Sequence, residues 1–440
     1  MRLRFRIVLN CDTLMKFLIY FQIIYVCIIR LLIIAGMPGT MTLVCDFVNI
    51  LLLFMSIGKF KGLKKAIKGN ISFYYVYLIF FLLGIISAFV NGLNIIRLLW
   101  SVRNFGRFIV FMTACCITFE LNDVKKLKRL ILCIGHINFL FCCYQYFVKH
   151  LKGDYIGGVF GTEGGVSNTW LNVLLVVLFV LALSEWLYGR KNKYRLFLVM
   201  IETMGIAVIS ELKFFFIEII LICMCAFIIA KKTYSIVYKS LIIVVVVMFA
   251  MVISVPLLYR LFPGFRGFFN LNSIIKNATS SYTASGDLGR ASAVYEIATK
   301  FFDSSAEKVL FGLGLGNGEF SSTIRILQSD FYLKYSIFHY HWFTDAYVMV
   351  QNGIIGVGLY LMTHISIFLN GHKALKANMA EREILLTGVL VSFSAMLLYI
   401  YNISLNTESA YLLYCIFPWI YICKKDKYEK IHEIATHKRN

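Results

Sequence analysis

Apolar stretches long enough to cross a lipid bilayer follow one another along almost the whole chain. A helix needs about 20 apolar residues to cross about 30 Å of hydrocarbon, and a backbone in lipid must satisfy its own hydrogen bonds. We therefore predict an all-α, polytopic integral membrane protein with about twelve transmembrane helices. The predicted spans are residues 15–36, 39–58, 71–90, 104–120, 130–148, 168–188, 196–211, 214–230, 241–258, 343–369, 384–403 and 409–423.

The same pattern sets the domain organisation. Residues 1–440 form a single membrane domain, in which residues 259–342 are a large extracytoplasmic loop and residues 424–440 a basic cytoplasmic tail. The loop mixes polar residues and glycine with short amphipathic runs, so we expect it to contain amphipathic helices at the membrane surface.

Composition agrees with a bilayer environment. Apolar residues make up 60% of the chain and the mean hydropathy is +0.76, values well outside the range of soluble proteins. Nearly all of the twelve cysteines lie within apolar runs, and none is in the large loop. We therefore expect buried, apolar cysteines and neither a disulfide framework nor a metal site.

The net charge of +21 is placed asymmetrically. Alternate connecting segments, beginning with the amino terminus, hold 29 of the 44 Lys and Arg residues. Short loops rich in Lys and Arg stay in the cytoplasm, which predicts that both termini are cytoplasmic. Because the charge lies in short loops between spans, no nucleic-acid partner is expected.

Several charged residues occupy costly positions. Arg97, Arg103 and Arg107 fall in or beside the outer stretch before the fourth span, against the positive-inside rule. They would bind a polyanionic ligand through paired phosphate contacts, or extend to lipid phosphates. Arg30 and Asp46 lie at matching depth on either side of an outer turn, and we predict an ion pair between them.

A second short outer turn holds Lys213, which can reach the same outer surface. Glu218, about one turn further along the next helix, would pair with Lys213 or face the bundle interior.

The large loop contains three segments with candidate chemistry. Residues 288–304 have helical periodicity with Arg290 in the first turn. Glycines then alternate from 312 to 318, where the backbone could approach a ligand closely or form a flexible loop. His339, His341 and Asp345 lie where the chain enters the tenth span; such a histidine can accept a proton from a hydroxyl, or belong to an interfacial aromatic belt.

The order of these features resembles the O-antigen polymerase and O-antigen ligase superfamily of bacterial glycan assembly. A glycine-rich segment, Gly157 to Gly161, precedes Asn168; Lys213, Arg290, the glycine-rich turn, His341 and the Gly353 to Gly356 pattern then follow in sequence. Two departures stand out. Lys213 replaces the more usual Arg, and Trp342 follows His341 where the family has Asn, which leaves the acting histidine open between His341 and His339.

The resemblance implies a membrane glycosyltransferase that moves a glycan from an undecaprenyl-diphosphate carrier to a sugar hydroxyl on the outer face of the bacterial cytoplasmic membrane. It implies a single inverting displacement that needs neither metal nor nucleotide, so no cofactor is expected. The expected partners are the lipid-linked glycan donor, a glycan acceptor, the lipid bilayer and other polysaccharide-assembly proteins. The expected catalytic residues are His341, Arg290 and Lys213, and the residues expected to bind diphosphate or glycan are Arg97, Arg103, Arg107, His339, Asp345, Gly314 and Gly316.

Alternative functions remain open at this point. A polymerase that joins lipid-linked repeat units shares its donor chemistry with a ligase that transfers the finished chain to a different acceptor. A flippase or another transporter would spread charge along a central path and show two related halves. A metal-dependent glycosyltransferase would carry carboxylates in its first outer loop, but residues 36–40 contain none.

Overall fold

The computed structural model describes residues 10–188, 193–229, 286–321, 324–377 and 381–437, with five single residues between 230 and 285. The helical elements among these residues are α-helices, short 3₁₀ turns and a π-helical segment, Ile297–Phe301, and there is no strand among them. The helices are α1 (Cys11–Ile34), α2 (Val44–Gly58), α3 (Phe60–Gly69), α4 (Ile71–Val90), α5 (Ile95–Thr118), α6 (Leu121–Phe147), α7 (Val166–Tyr188), α8 (Lys193–Ile209), α9 (Lys213–Ile229), α10 (Ala293–Glu296), α11 (Ala306–Phe311), α12 (Asp330–Tyr335), α13 (Thr344–Lys376), α14 (Arg382–Tyr401), α15 (Tyr411–Tyr414) and α16 (Pro418–His437).

Seven helical segments in the described part of the chain are long and apolar enough to cross a membrane. Large apolar side chains such as Phe17, Phe54 and Phe89 point outward from them, as expected of helices that face lipid. An all-helical membrane protein is therefore the fold class that the structure supports. The seven segments are Cys11–Ile34, Gly39–Gly58, Ile71–Val90, Leu121–Phe147, Val166–Tyr188, Thr344–Lys376 and Arg382–Tyr401.

The other predicted spans agree with the structure to differing degrees. The predicted span 241–258 and most of the loop before residue 286 lie outside the described residues. Helices α8 and α9 are present but are each only 17 residues long. The predicted span 409–423 corresponds to α15 and the start of α16, which continues through most of the predicted tail.

Helix α5 begins nine residues before the predicted fourth span, at Ile95. The side chain of Asn94 caps it by accepting a hydrogen bond from the Arg97 amide at 3.1 Å. Arg97 and Arg103, expected in a loop, therefore lie on a helix. The predicted amphipathic helix 288–304 is shorter than expected: α10 begins at Ala293, so Arg290 lies in the turn before it.

Helix α7 occupies the centre of the bundle and is buried along nearly its whole length. Helix α13 packs against α14 on one side and α4 on the other. At Gly353 it is interrupted by a residue with φ +64° and ψ −169°, a conformation that glycine tolerates and other residues avoid. The interruption leaves carbonyl groups of the preceding turn without partners inside the helix.

The glycine-rich segment after α11 fills this interruption. Leu313 and Gly314 donate backbone hydrogen bonds to the carbonyls of Val350 and Gln351 at 2.9 and 2.7 Å, and Leu315 donates to Gly84 of α4 at 2.9 Å. The segment is thus a buried part of the bundle, and the alternative of a flexible loop is wrong.

Glycine is required where this segment touches the helices. A Cβ atom on Gly314 would lie 2.1 Å from the Ala88 amide nitrogen in α4, and one on Gly316 would lie 2.6 Å from the Leu98 amide nitrogen in α5. These glycines therefore allow close approach to helix backbones, and approach to a ligand stays a prediction.

Candidate active site

Arg290 and the start of α9 meet at the ring of Tyr401. The guanidinium carbon of Arg290 lies 4.3 Å from the centre of that ring, and the ring of Phe214 stacks on it at 4.0 Å with an interplanar angle of 12°. Lys213 is the first residue of α9 and precedes Phe214. The structure therefore brings two elements that carry predicted catalytic cations to one aromatic side chain.

Local backbone geometry explains how α9 starts here. Glu211 has a left-handed conformation, with φ +53°, and the Leu212 amide donates back to the Ala207 carbonyl of α8 at 2.9 Å. This closes α8 and reverses the chain within a few residues. The tight turn holds Lys213 at the end of the bundle where Tyr401 ends α14.

The histidine-bearing segment lies beside the residues that lead into Arg290. Asp287, which is buried, contacts His339 Nδ1 through its carboxylate at 2.8 Å, and the Leu288 amide donates to the Phe338 carbonyl at 3.2 Å. The segment that leads into Arg290 and the segment that carries the two histidines are therefore joined to each other.

His341 is mostly buried in an aromatic setting. Its ring stacks on Phe320 at 4.6 Å and meets Tyr332 edge-on at 5.5 Å. Its Nδ1 atom has no hydrogen-bond partner among the described residues. Burial, assisted by neighbouring His339, lowers the pKa of His341 from 6.5 to about 4, so the ring is neutral at physiological pH. A neutral ring nitrogen can accept a hydrogen bond from a hydroxyl.

A cavity of about 340 Å³ opens beside this histidine. The rings of His339 and Trp342 stack next to it with their centres 3.9 Å apart. Its lining residues are Tyr332, Ser336, Ile337, His339 and His341.

Glu319, which sequence reasoning missed, is a buried carboxylate next in sequence to the ring that stacks on His341. Its side chain is fully buried and accepts hydrogen bonds from Tyr347 at 2.5 Å and from Asn104 at 3.1 Å. It immediately precedes Phe320, the ring on which His341 stacks. A carboxylate directly after four alternating glycines was the available sequence signal.

The three arginines of α5 contact protein groups. Arg103 forms an ion pair with Asp46, and Arg107, which is buried, bonds the Glu408 carboxylate and the Asn406 carbonyl at 2.8 Å each. Paired charges of this kind offset the cost of burying them. A ligand-binding role for Arg103 and Arg107 stays a prediction.

Arg97 is also engaged. It donates to the Gln328 carbonyl at 3.3 Å and lies 3.9 Å from the Asp330 carboxylate, which is exposed. These contacts tie the amino-terminal end of α5 to the start of α12 and the segment before it. Binding of a ligand by Arg97 likewise stays a prediction.

The predicted Arg30–Asp46 ion pair is wrong. Arg30 instead forms an ion pair with Glu163 at 2.8 Å, and Asp46 forms one with Arg103. The prediction paired Arg30 with Asp46 because they lie at equal depth on neighbouring helices. Depth alone could not identify the carboxylates and guanidinium groups that other elements bring closer.

Three further candidates are buried. Asp345 accepts a hydrogen bond from the next amide of its own helix, Ala346, at 2.8 Å, and Gly314 and Gly316 face helix backbones. Their role in substrate binding stays a prediction. Glu218 is fully buried and accepts a hydrogen bond from Asn172 at 3.0 Å, so it faces the bundle interior.

Comparison with known proteins adds no assignment, because no family model and no curated protein matches the chain.

Proposed function

We propose that this protein is a membrane glycosyltransferase that polymerises undecaprenyl-diphosphate-linked oligosaccharide repeat units into a surface polysaccharide. We place it in the O-antigen polymerase and ligase superfamily on the order of its motifs. The observation that carries the proposal is the meeting of Arg290 and the start of α9 at Tyr401, beside the segment that holds His341.

The chemistry that these residues would perform follows from their charges. The acceptor oxygen forms a bond to the anomeric carbon of the donor while the bond from that carbon to the diphosphate oxygen breaks, releasing undecaprenyl diphosphate. The leaving diphosphate gains negative charge in this step. Preorganised cations at Arg290 and Lys213 would stabilise that charge most strongly in the transition state, which is the requirement for catalysis.

His341 would act on the acceptor hydroxyl. With a pKa of about 4 its neutral ring is a weak base but a competent hydrogen-bond acceptor. It would therefore orient the hydroxyl first, and receive the proton as the anomeric bond breaks and negative charge develops on the nearby diphosphate.

The proposed topology has about twelve spans, both termini in the cytoplasm and residues 259–342 on the extracytoplasmic side of a bacterial cytoplasmic membrane. It is supported by the distribution of Lys and Arg in the short loops. A membrane-impermeant thiol reagent tests it: cysteines introduced at Tyr295 and at Tyr428, both exposed, should be labelled only from the outside and only from the inside, respectively.

Reconstitution provides the decisive test of function. The purified protein in lipid nanodiscs is given lipid-linked repeat units, and the products are separated by size. A ladder of chain lengths supports a polymerase. Transfer only to a different acceptor would make it the alternative, an O-antigen-type ligase. Vesicle transport without new glycosidic bonds would make it a lipid-linked oligosaccharide transporter, and strict dependence on a divalent cation would overturn the metal-free scheme.

A further inference from the structure

Helix α3 joins two helices that are long and apolar enough to cross the membrane. It covers ten residues, Phe60–Gly69, directly after the span that ends at Gly58 and directly before the span that begins at Ile71. Because both neighbours in sequence are spans, this short helix is held at one end of the bundle. It therefore lies where the hydrocarbon of a leaflet meets the headgroups.

One face of α3 packs against the protein. Ala66 is fully buried, and a Cβ atom on Gly62 would lie 3.2 Å from Ile117 of α5. At the carboxyl end of the helix, the Gly69 carbonyl accepts a hydrogen bond from the Asn370 side chain of α13 at 3.5 Å. These contacts determine which sides of α3 point away from the bundle.

A second face of α3 is cationic. At about 3.6 residues per turn, four lysines share about one third of the helix circumference, and all four are exposed. This lysine face consists of Lys61, Lys64, Lys65 and Lys68. None of its members forms an ion pair with a carboxylate of the described residues, whereas Lys59, just before the helix, pairs with Asp12. Residues 59–70 contain no Asp or Glu, so the helix itself supplies nothing to balance this charge.

The remaining face of α3 is apolar and also points away from the bundle. It carries Phe60, Leu63 and Ile67, of which Phe60 is 68% exposed. Ile57 at the end of α2 and Ile71 at the start of α4 are exposed as well. A water-soluble acidic partner would cover the lysines and leave Phe60 in water. A bilayer covers the apolar face with acyl chains and meets the lysines with its headgroups.

From this arrangement we infer that the lysine face of α3 is a binding surface for the headgroups of anionic phospholipids. A lysine close to an anionic leaflet strengthens binding about fivefold, and four on one face act together. Lys424 of α16, which contacts the Asn370 side chain at the end of α3, adds positive charge at the same corner. Under the proposed topology the leaflet is the cytoplasmic one, but the surface follows from charge and exposure and does not depend on the proposed function.

Lipid preference can be measured on the full-length protein without any enzymatic activity. The protein in detergent micelles is titrated with phosphatidylglycerol or with phosphatidylcholine of the same acyl chains, and bound lipid is counted by native mass spectrometry. We expect phosphatidylglycerol to bind at least about tenfold more tightly, and this preference to shrink as ionic strength rises.

Variants assign the preference to α3. Replacing the whole lysine face by glutamine (Lys61→Gln, Lys64→Gln, Lys65→Gln and Lys68→Gln) should abolish it. Replacing the same four residues by arginine keeps the charge and should keep the preference, which separates charge from any effect on folding. The matched control removes four exposed lysines of other helices: Lys126→Gln, Lys193→Gln, Lys308→Gln and Lys376→Gln. It should behave as the unmodified protein.

Each other outcome overturns the assignment. Equal affinity for the two lipids, an unchanged preference in the glutamine variant, or an equal loss in the control variant would each show that the lysine face does not select anionic lipid. Displacement of phosphatidylglycerol by inorganic phosphate at constant ionic strength would identify a site for free anions instead. Displacement by micromolar polyglutamate would assign the face to an acidic protein.

Discussion

The guanidinium carbon of Arg290 lies 4.3 Å from the centre of the Tyr401 ring. The contact joins the segment before α10 to the end of α14. Lysine cannot reproduce this arrangement, because its ammonium group is neither planar nor forked.

We therefore predict that Arg290→Ala lowers the rate of chain extension by about a hundredfold or more, and that Arg290→Lys recovers only part of it. The measurement is the yield of polymer from lipid-linked repeat units at equal amounts of inserted protein. Lys300→Ala, which removes an exposed cation of the same loop, should leave the rate unchanged. Equal losses in both variants would point to general loop charge and away from Arg290.

The buried ring of His341 should make stability depend on pH. Burial and neighbouring His339 lower its pKa from 6.5 to about 4, so the unfolded chain binds this proton more tightly than the folded protein between those values. Stability should fall as pH falls through that window. The expected loss is about 3 kcal/mol relative to His341→Phe, which keeps the stacking on Phe320 but cannot be protonated. Thermal unfolding curves of both proteins check this, and parallel pH dependence would contradict it.

Glu319 should be important for folding. Removing its side chain leaves the buried Tyr347 hydroxyl and the partly buried Asn104 amide without this acceptor, so we expect Glu319→Ala to lower the free energy of unfolding by roughly 3 kcal/mol. Glu307→Ala, at an exposed position on α11, is the control.

The pH dependence of Glu319→Gln gives a second measurement. Burial raises the pKa of Glu319, although hydrogen bonds from Tyr347 and other neighbours oppose the shift. The stability that a protonated carboxyl contributes is present at low pH and lost as pH rises through the raised pKa. Glu319→Gln should therefore gain stability relative to the native protein as pH rises, and a constant difference would count against this assignment.

Variants at Arg107 can distinguish a structural role of this residue from a role in ligand binding. Removing one partner of its buried pair with Glu408 should destabilise the protein by about 3 to 5 kcal/mol, whereas replacing both by methionine should restore most of the loss. If the double variant folds and still polymerises, Arg107 does not bind substrate. If it folds and is inactive, the sequence prediction of a ligand contact gains support.

From the buried glycine-rich segment we predict that two Gly-to-Ala substitutions differ strongly in their effect on stability. Gly314→Ala places a methyl group 2.1 Å from a backbone nitrogen of α4, at a residue whose φ is +92°, and should lower the free energy of unfolding by about 3 kcal/mol or more. Gly358→Ala, in the open part of α13, meets no atom within 4 Å and should be neutral. Similar melting temperatures for both variants would contradict the buried placement of this segment.

The hydrophobic pattern of the sequence predicted most accurately the helix boundaries that are set by the need to cross lipid. The span 71–90 coincides with α4, and 168–188 differs from α7 by two residues, because apolar length sets these boundaries. The pattern did not predict which residues pair with each other in the tertiary structure. The partners of Arg103 and Arg107 and the packing of the glycine-rich segment into the interruption at Gly353 depend on residues far apart in sequence, so no local pattern could select them.

The candidate site shows the same division. Residue type and position along the chain were enough to mark Lys213, Arg290 and His341 as candidate chemical groups. Tyr401, which contacts both Arg290 and Phe214, carried no sequence signal, because its importance comes from what it touches. Glu319 had only the signal of a carboxylate directly after the alternating glycines.

The hydrogen bonds from Leu313 and Gly314 to the interruption in α13 make these two amides internal reporters of the contact between the glycine-rich segment and that helix. Their protons cannot meet water until the helix and the glycine-rich segment separate, so local fluctuation of the loop leaves them shielded. Deuterium uptake at residues 313–315 would thus track separation of the glycine-rich segment from α13 and α4, although by sequence these residues belong to a loop.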